Sequence, residues 1–188
     1  MVAKDHAITK MIIILILSSM RLPLAHSAGV CVALALGAGV VPASAAQPVL
    51  VAVDGTLCDL TKTLAAAAAS VTCLIPPGGD PHSYRLKPSD RSQIAKSDLV
   101  LHIGFGLTPS AKKLKSPGTV VAVGEVALPS YGGSDPHVWH DPANSMAMVR
   151  VISRSLSPVL AASDRAALQQ RTARAVAVFQ ALQGWEAK

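Results

Sequence analysis

Short apolar runs alternate with segments of helical periodicity along the middle of the chain. The apolar runs end at glycine, proline, serine or aspartate, as buried strands do, and they occupy residues 48–53, 71–75, 98–103 and 119–123. Between the first two runs, apolar residues recur at the three- and four-residue spacing of a helix, namely Leu57, Leu60, Leu64 and Ala68. This alternation predicts an α/β fold, with a parallel four-stranded sheet flanked by helices.

Two weaker signals predict short helices inside this α/β region. Asp90 is followed three residues later by Gln93, which resembles a capping box and predicts a helix beginning near Asp90. A second short helix is expected around residues 110–114, between the third and fourth strands. Both would serve as crossovers, because neighbouring parallel strands cannot be joined by a tight turn.

The last quarter of the chain has purely helical periodicity. Asp141 is suited to cap a helix and Pro142 to occupy its first position, while Pro158 is expected to end or kink it. A long C-terminal helix should then begin at residues 163–164. Its predicted buried stripe consists of Leu168, Ala175, Phe179 and Leu182.

The N-terminus has the pattern of an export signal. An apolar segment of small residues covers 27–41, and the small residues at 43–46 form a cleavage site of the Ala-x-Ala type. We therefore interpret residues 1–46 as a signal peptide, with cleavage near Ala45 or Ala46. The mature protein is expected to be periplasmic or secreted.

Two details of this N-terminal region leave alternatives open. Met20 precedes Arg21 and is a plausible true start of the protein, which would make residues 1–19 an extension. A membrane hairpin is the alternative to a signal peptide, although each apolar run is shorter than the roughly 20 residues that a membrane span needs. No lipid anchor is predicted, because Cys31 does not follow a good lipobox. The remainder divides into an α/β lobe at 47–142 and a helical segment at 143–188.

Composition argues against nucleic acid as a partner. The formal net charge is +6, but the basic residues are scattered apart from a cluster at 112–115, and no aromatic residues alternate with that cluster. The two cysteines of the expected mature chain, Cys58 and Cys73, could form a disulfide in an exported protein. They could equally be two buried free thiols, because sequence does not reveal their separation.

The candidate chemistry lies in two Asp-Pro-His tripeptides, at residues 80–82 and 135–137. Proline stiffens the backbone before each histidine, and a stiff loop is a good support for a metal ligand. Each tripeptide follows a predicted strand, and the carboxyl ends of parallel strands lie on one edge of a sheet. We therefore expect His82 and His137 to converge on one metal ion.

Other polar residues near these tripeptides receive secondary roles. His140 is a possible additional ligand, since it lies three residues after His137. His102 falls within a predicted strand and is interpreted as a core histidine. Asp80 and Asp135 are expected to stabilise their own turns through Asx-type hydrogen bonds rather than contact metal.

These features resemble the amino-terminal lobe of the metal-binding solute receptors of ABC transporters, the cluster that takes up zinc and manganese. The resemblance is carried by residues 74–84, 87–90 and 135–139. It implies one lobe of a two-lobed receptor, followed by the long helix that links the lobes. It also implies that His82 and His137 bind the transported Mn²⁺ or Zn²⁺, that an ABC permease is the partner, and that a second lobe supplies further ligands.

Other classes remain to be compared with this interpretation. The short, histidine-free connection at 128–134 favours manganese or broad specificity within the family. A zinc-dependent hydrolase is the competing enzyme class, but the spacing is His-x-x-His-Asp, and neither Glu125 nor Glu186 stands beside a histidine as a general base. An adhesin-like protein or a non-functional relic of the receptor is the remaining alternative. We therefore expect a metal-binding protein rather than an enzyme.

Overall fold

Four short strands form an all-parallel sheet, as the apolar runs predict. The computed structural model describes residues 46–186, and the interpretations of the signal peptide, of Met20 and of Cys31 lie outside these residues. The strands are β1 (Val49–Ala52), β2 (Ser70–Cys73), β3 (Leu99–His102) and β4 (Thr119–Ala122). They are arranged in the order β2-β1-β3-β4, so the two central strands, β1 and β3, are the most deeply buried.

Alternation along the central strands divides the core into two layers. Leu50, Ala52, Leu99 and Leu101 face one side of the sheet, where the larger hydrophobic cluster lies. Val51, Val53 and Val100 face the other side and pack in a smaller cluster with Ile94 and Ala111. Successive side chains of a strand point to opposite faces, so an uninterrupted apolar run is what a sheet covered on both faces requires.

Five α-helices accompany the sheet within residues 46–186. They are α1 (Gly55–Ala65), α2 (Pro88–Ile94), α3 (Val123–Ala127), α4 (Pro142–Leu156) and α5 (Arg165–Glu186). The larger cluster joins α1, α4 and α5 to one face, while α2 and the 3₁₀ turn Pro109–Ala111 cover the other face. The helix expected around 110–114 is thus only a 3₁₀ turn, and the sequence interpretation did not include α3.

The helix starts are set by polar caps. The Asp54 side chain accepts from the Leu57 N–H at the start of α1, and the Asp141 side chain accepts from the Ala143 N–H at the start of α4, which confirms the predicted cap there. The sequence placed the start of α2 near Asp90, but the N-cap is Lys87, three residues earlier. Asp90 occupies the third helical position, where its side chain accepts a hydrogen bond from the Lys87 N–H. The acidic side chain is therefore the returning half of a capping box.

The last helix is buried only over its first part. Leu168 is 1% exposed and Phe179 packs against the core, as the predicted stripe requires. The prediction for Leu182 was wrong, since it is 42% exposed, and Trp185 is 73% exposed. Within residues 46–186, the packing of α5 against the core ends near Phe179, which leaves the following turns uncovered.

A disulfide joins Cys58 in α1 to Cys73 at the end of β2, with their Cα atoms 5.5 Å apart. It ties the first helix to an edge strand of the sheet. Of the two alternatives open for these cysteines, the structure has the disulfide. Among the residues described, no helix is both long enough and apolar enough to span a membrane.

Candidate metal site

His82 and His137 meet at the carboxyl edge of the sheet. His82 lies in the loop after β2, and His137 lies in the loop between α3 and the 3₁₀ turn Val138–His140. Their Nε2 atoms are 3.0 Å apart, and the ring planes are inclined by 61°. The predicted convergence of the two side chains is confirmed, although 55 residues separate them along the chain.

Each Asp-Pro-His tripeptide is closed by its own aspartate. Asp80 Oδ1 accepts from the His82 N–H at 2.9 Å, and Asp135 Oδ1 accepts from the His137 N–H at 3.0 Å, which confirms the expected Asx-type turns. These bonds favour the charged carboxylates. The hydroxyl of Ser83 and the His82 N–H lower the pKa of Asp80, and the backbone and ring of His137 lower the pKa of Asp135.

The two tripeptides differ in how they hold the imidazole. Asp135 Oδ1 also lies 2.6 Å from Nδ1 of His137, so the carboxylate accepts a hydrogen bond from the Nδ1–H of that ring. Trp139 packs edge-on against the same ring, with ring centroids 5.2 Å apart. The ring of His82 has no hydrogen-bond partner among residues 46–186 except Nε2 of His137.

The contact with Asp135 indicates the tautomer of His137. A carboxylate oxygen can only accept, so Nδ1 of His137 carries the hydrogen, and the Nε2 of a neutral His137 carries a lone pair. This is the tautomer that a metal needs at Nε2.

The separation of the two nitrogens is suited to a shared ion. Imidazole nitrogens bind zinc at about 2.0–2.1 Å, so two of them 3.0 Å apart would subtend an angle of about 90° at the ion. A tetrahedral angle needs a separation of about 3.3 Å at the same bond lengths, a small adjustment for two loop side chains. Both geometries leave further coordination positions open to other ligands.

The other histidines lie apart from this contact. The ring of His140 is exposed, and its centroid is 6.2 Å from that of His137, without a hydrogen bond between the two side chains. His102 ends β3 and is partly buried, and burial lowers its pKa, consistent with the expected core position. No group of three or more His, Cys, Asp or Glu side chains within 46–186 is placed to hold a metal.

Tyrosine anchors beside both histidines were missed at the sequence level. The Tyr84 hydroxyl lies 2.9 Å from the Leu74 carbonyl and 2.8 Å from Asp90 Oδ2. Desolvation and the Asp90 carboxylate raise the pKa of Tyr84 to about 12, so its hydroxyl remains a donor. The Tyr131 hydroxyl donates to the Asp135 carbonyl at 2.8 Å. The only signal in the sequence was that Tyr84 follows its histidine closely; no pattern indicated the acceptors.

The described residues thus form an all-parallel α/β lobe, and two imidazoles converge at the carboxyl edge of its sheet. The family model for the periplasmic zinc-uptake complex component A matches residues 51–188. The chain belongs to this family, which confirms the resemblance seen in the sequence.

Individual relatives agree with this assignment. The zinc-binding protein TroA of Treponema pallidum is 30% identical over 129 residues, covering 63% of this chain and 42% of TroA. The manganese-binding lipoprotein MntA of Halalkalibacterium halodurans is 35% identical over 105 residues, or 52% of this chain and 35% of MntA. The solved structure of Treponema pallidum TroA superposes with a TM-score of 0.68 at 26% identity, covering 74% of this chain and 53% of that one.

Two consequences follow from these comparisons. The chain spans between about a third and half of the length of these relatives, and the superposition includes the lobe described above. The relatives are named for binding zinc or manganese, so the comparisons give the zinc-dependent hydrolase no support.

Proposed function

We propose that this chain is the first lobe of an extracytoplasmic receptor that captures Mn²⁺ or Zn²⁺ for an ABC importer. In this proposal His82 and His137 bind the ion through their Nε2 atoms. The observation that carries the proposal is the 3.0 Å separation of these atoms at the carboxyl edge of the sheet. The membership of the chain in the zinc-uptake family supports the same role.

The protein's contribution to the site is to hold the two imidazoles in place. Asp135 accepts a hydrogen bond from the Nδ1–H of His137 and so directs the Nε2 lone pair toward the ion, an arrangement that raises the basicity of a metal-bound histidine. His140 is the nearest further imidazole and is our candidate for an additional donor. None of these groups is required to transfer a proton to a substrate, which supports a binding role rather than an enzymatic one.

The remaining parts of the proposal concern export and partners. Residues 1–46 would direct the chain out of the cytoplasm and be removed near Ala45 or Ala46. The lobe at 47–142 would present the ion, and the segment at 143–188 would include the helix that leads to a second lobe. The protein partner would be the permease of a metal importer.

Two imidazoles do not by themselves select between zinc and manganese. Affinity for a nitrogen site rises from Mn²⁺ toward Cu²⁺, and Zn²⁺ lies well above Mn²⁺ in the same order. With His82 and His137 as the only shared donors, we expect the purified chain to bind Zn²⁺ more tightly than Mn²⁺. Discrimination in favour of manganese would need harder oxygen ligands in addition.

Calorimetric titration of the purified chain with Zn²⁺ and with Mn²⁺ tests the proposal. His82→Ala and His137→Ala should each abolish most of the heat of binding, since each removes half of the paired donors. Lys112→Ala, on an exposed surface, is the control for substitution as such. A parallel titration of His140→Ala decides whether that ring contributes. Zn²⁺ binding that survives the loss of both His82 and His137 would refute the assignment of the site.

A further inference from the structure

We propose that Tyr84 is a positioning residue for metal binding, acting through its buried contact with Asp90 to hold the loop that carries His82. This inference rests on the proposed function and deepens it. It assigns no direct metal contact to Tyr84. It concerns instead the position of His82, which depends on the loop around it more than the position of His137 does.

The loop that carries His82 has little structure of its own. It runs from the end of β2 to the start of α2 and contains no helix or strand. His82 itself is exposed, and the Asp80 turn fixes only its backbone. A side chain on such a loop keeps its position only if the loop is attached to the rigid part of the fold.

Tyr84 provides that attachment two residues after His82. Its hydroxyl is within hydrogen-bond distance of the carbonyl of Leu74, the residue directly after β2, and of Asp90 in α2. Its own carbonyl accepts from the Ser110 hydroxyl at 2.8 Å. Its side chain also packs against the smaller hydrophobic cluster on the sheet. Tyr84 thus links the loop to β2, to α2 and to the 3₁₀ turn that contains Ser110.

Asp90 is the buried end of this contact. It is 6% exposed, and Oδ2 accepts both from the Lys87 N–H at 2.7 Å and from the Tyr84 hydroxyl at 2.8 Å. Removing the hydroxyl would leave a buried carboxylate oxygen with one donor fewer. A buried polar group that loses its partner is costly, so the folded chain strongly favours keeping Tyr84 in place.

The loop of His137 shows why the effect should fall on His82 alone. The ring of His137 is held directly by Asp135 Oδ1 and by Trp139. The Tyr131 ring packs against Phe105, and its hydroxyl donates to the Asp135 carbonyl in an exposed hydrogen bond. His82 has no such carboxylate among the residues described, so its ring is positioned by the loop and hence by Tyr84. Tyr131→Phe is therefore the matched control for Tyr84→Phe.

The test measures Zn²⁺ affinity and the number of bound imidazoles in the purified chain. Removing a group that orients a metal ligand typically lowers affinity about 10- to 100-fold, so we expect Tyr84→Phe to weaken Zn²⁺ by about 10-fold and Tyr131→Phe by less than about 3-fold. Pulsed electron paramagnetic resonance of the Cu²⁺-loaded chain should show two coupled imidazoles in the parent and in Tyr131→Phe, but one in Tyr84→Phe.

A double-substitution cycle separates positioning from general damage. If Tyr84 acts through His82, Tyr84→Phe should have no further effect on the weak Zn²⁺ affinity that remains in His82→Ala. An equal loss in both backgrounds would overturn the inference. If Tyr84→Phe does not fold, Ser110→Ala can replace it, since this variant removes only the hydrogen bond to the Tyr84 carbonyl. Ser110→Ala should lower Zn²⁺ affinity by a smaller factor, and this loss should again vanish in the His82→Ala background. A loss of Zn²⁺ affinity that persists in His82→Ala would overturn the inference.

The outcomes distinguish this inference from the proposed function. A parent chain that fails to bind Zn²⁺, or binds it without His82 and His137, would refute the proposed function itself. A parent chain that binds through both histidines, with Tyr84→Phe retaining both imidazoles and full affinity, would refute only the role of Tyr84.

Discussion

The buried carboxyl of Asp54 should make the fold less stable as the pH rises. Asp54 follows β1, caps α1 and is 4% exposed. Oδ1 accepts from the Leu57 N–H at 3.0 Å, but Oδ2 is buried with no hydrogen-bond partner among residues 46–186. Burial therefore disfavours the charged form and raises the pKa of Asp54 from its ordinary value of 3.8 to about 6, while the bond from Leu57 offsets only part of this effect.

The sign of the effect follows from proton binding in the two states. Below about pH 4 the carboxyl is protonated in both the folded and the unfolded chain, so it imposes no penalty. Between about pH 4 and 6 the unfolded chain loses the proton first, so the folded state becomes less stable as the pH rises. The full penalty, reached above pH 6, is about 3 kcal/mol for a rise from 3.8 to about 6, since one pKa unit is worth about 1.4 kcal/mol.

Asp54→Asn removes the charge and keeps an oxygen that can cap α1. We expect the variant to be more stable than the parent by about 2 kcal/mol at pH 7.5, because the new amide N–H group in the unpartnered position costs about 1 kcal/mol. At pH 4 the advantage should disappear. Urea denaturation followed by circular dichroism at both pH values measures the difference.

Asp141→Asn is the matched control, since it makes the same change at the exposed N-cap of α4. It should not stabilise the chain at pH 7.5. If Asp54→Asn were no more stable than the parent at pH 7.5, or gained the same stability at pH 4, the buried charge would not be the cause and the reasoning would be refuted.

Two further predictions concern the attachment of α1. Replacing Cys58 and Cys73 with serine should lower the free energy of unfolding by about 3 kcal/mol in urea, because the disulfide closes a loop with a sequence separation of 15 residues; an unchanged midpoint under oxidising conditions would contradict this. Arg171→Ala should cost about 2 kcal/mol, since the guanidinium donates to the Leu64 and Ala65 carbonyls at the end of α1. The exposed Arg174→Ala is its control, and equal losses in both variants would contradict the capping role.

The strands of the sheet were predictable because each can be recognised from its own run of residues. Continuous apolar runs such as residues 48–53 indicate a strand buried on both faces, and their alternation with helices indicates a parallel sheet. The strand order β2-β1-β3-β4 was not predictable from these runs, because neighbouring strands in space are not always neighbours along the chain. The helix α3 was missed because it begins directly at the end of β4, without a polar cap residue before it.

The site shows a sharper limit, because its two tripeptides are identical in sequence and differ in structure. Both aspartates accept the backbone N–H of their histidine, which is a local bond and follows from the tripeptide alone. Only Asp135 also accepts from the ring, and only Tyr84 reaches a buried acid. These differences arise from the elements that surround each loop. The sequence could therefore predict that the two histidines converge, but not which of them is held by its own aspartate.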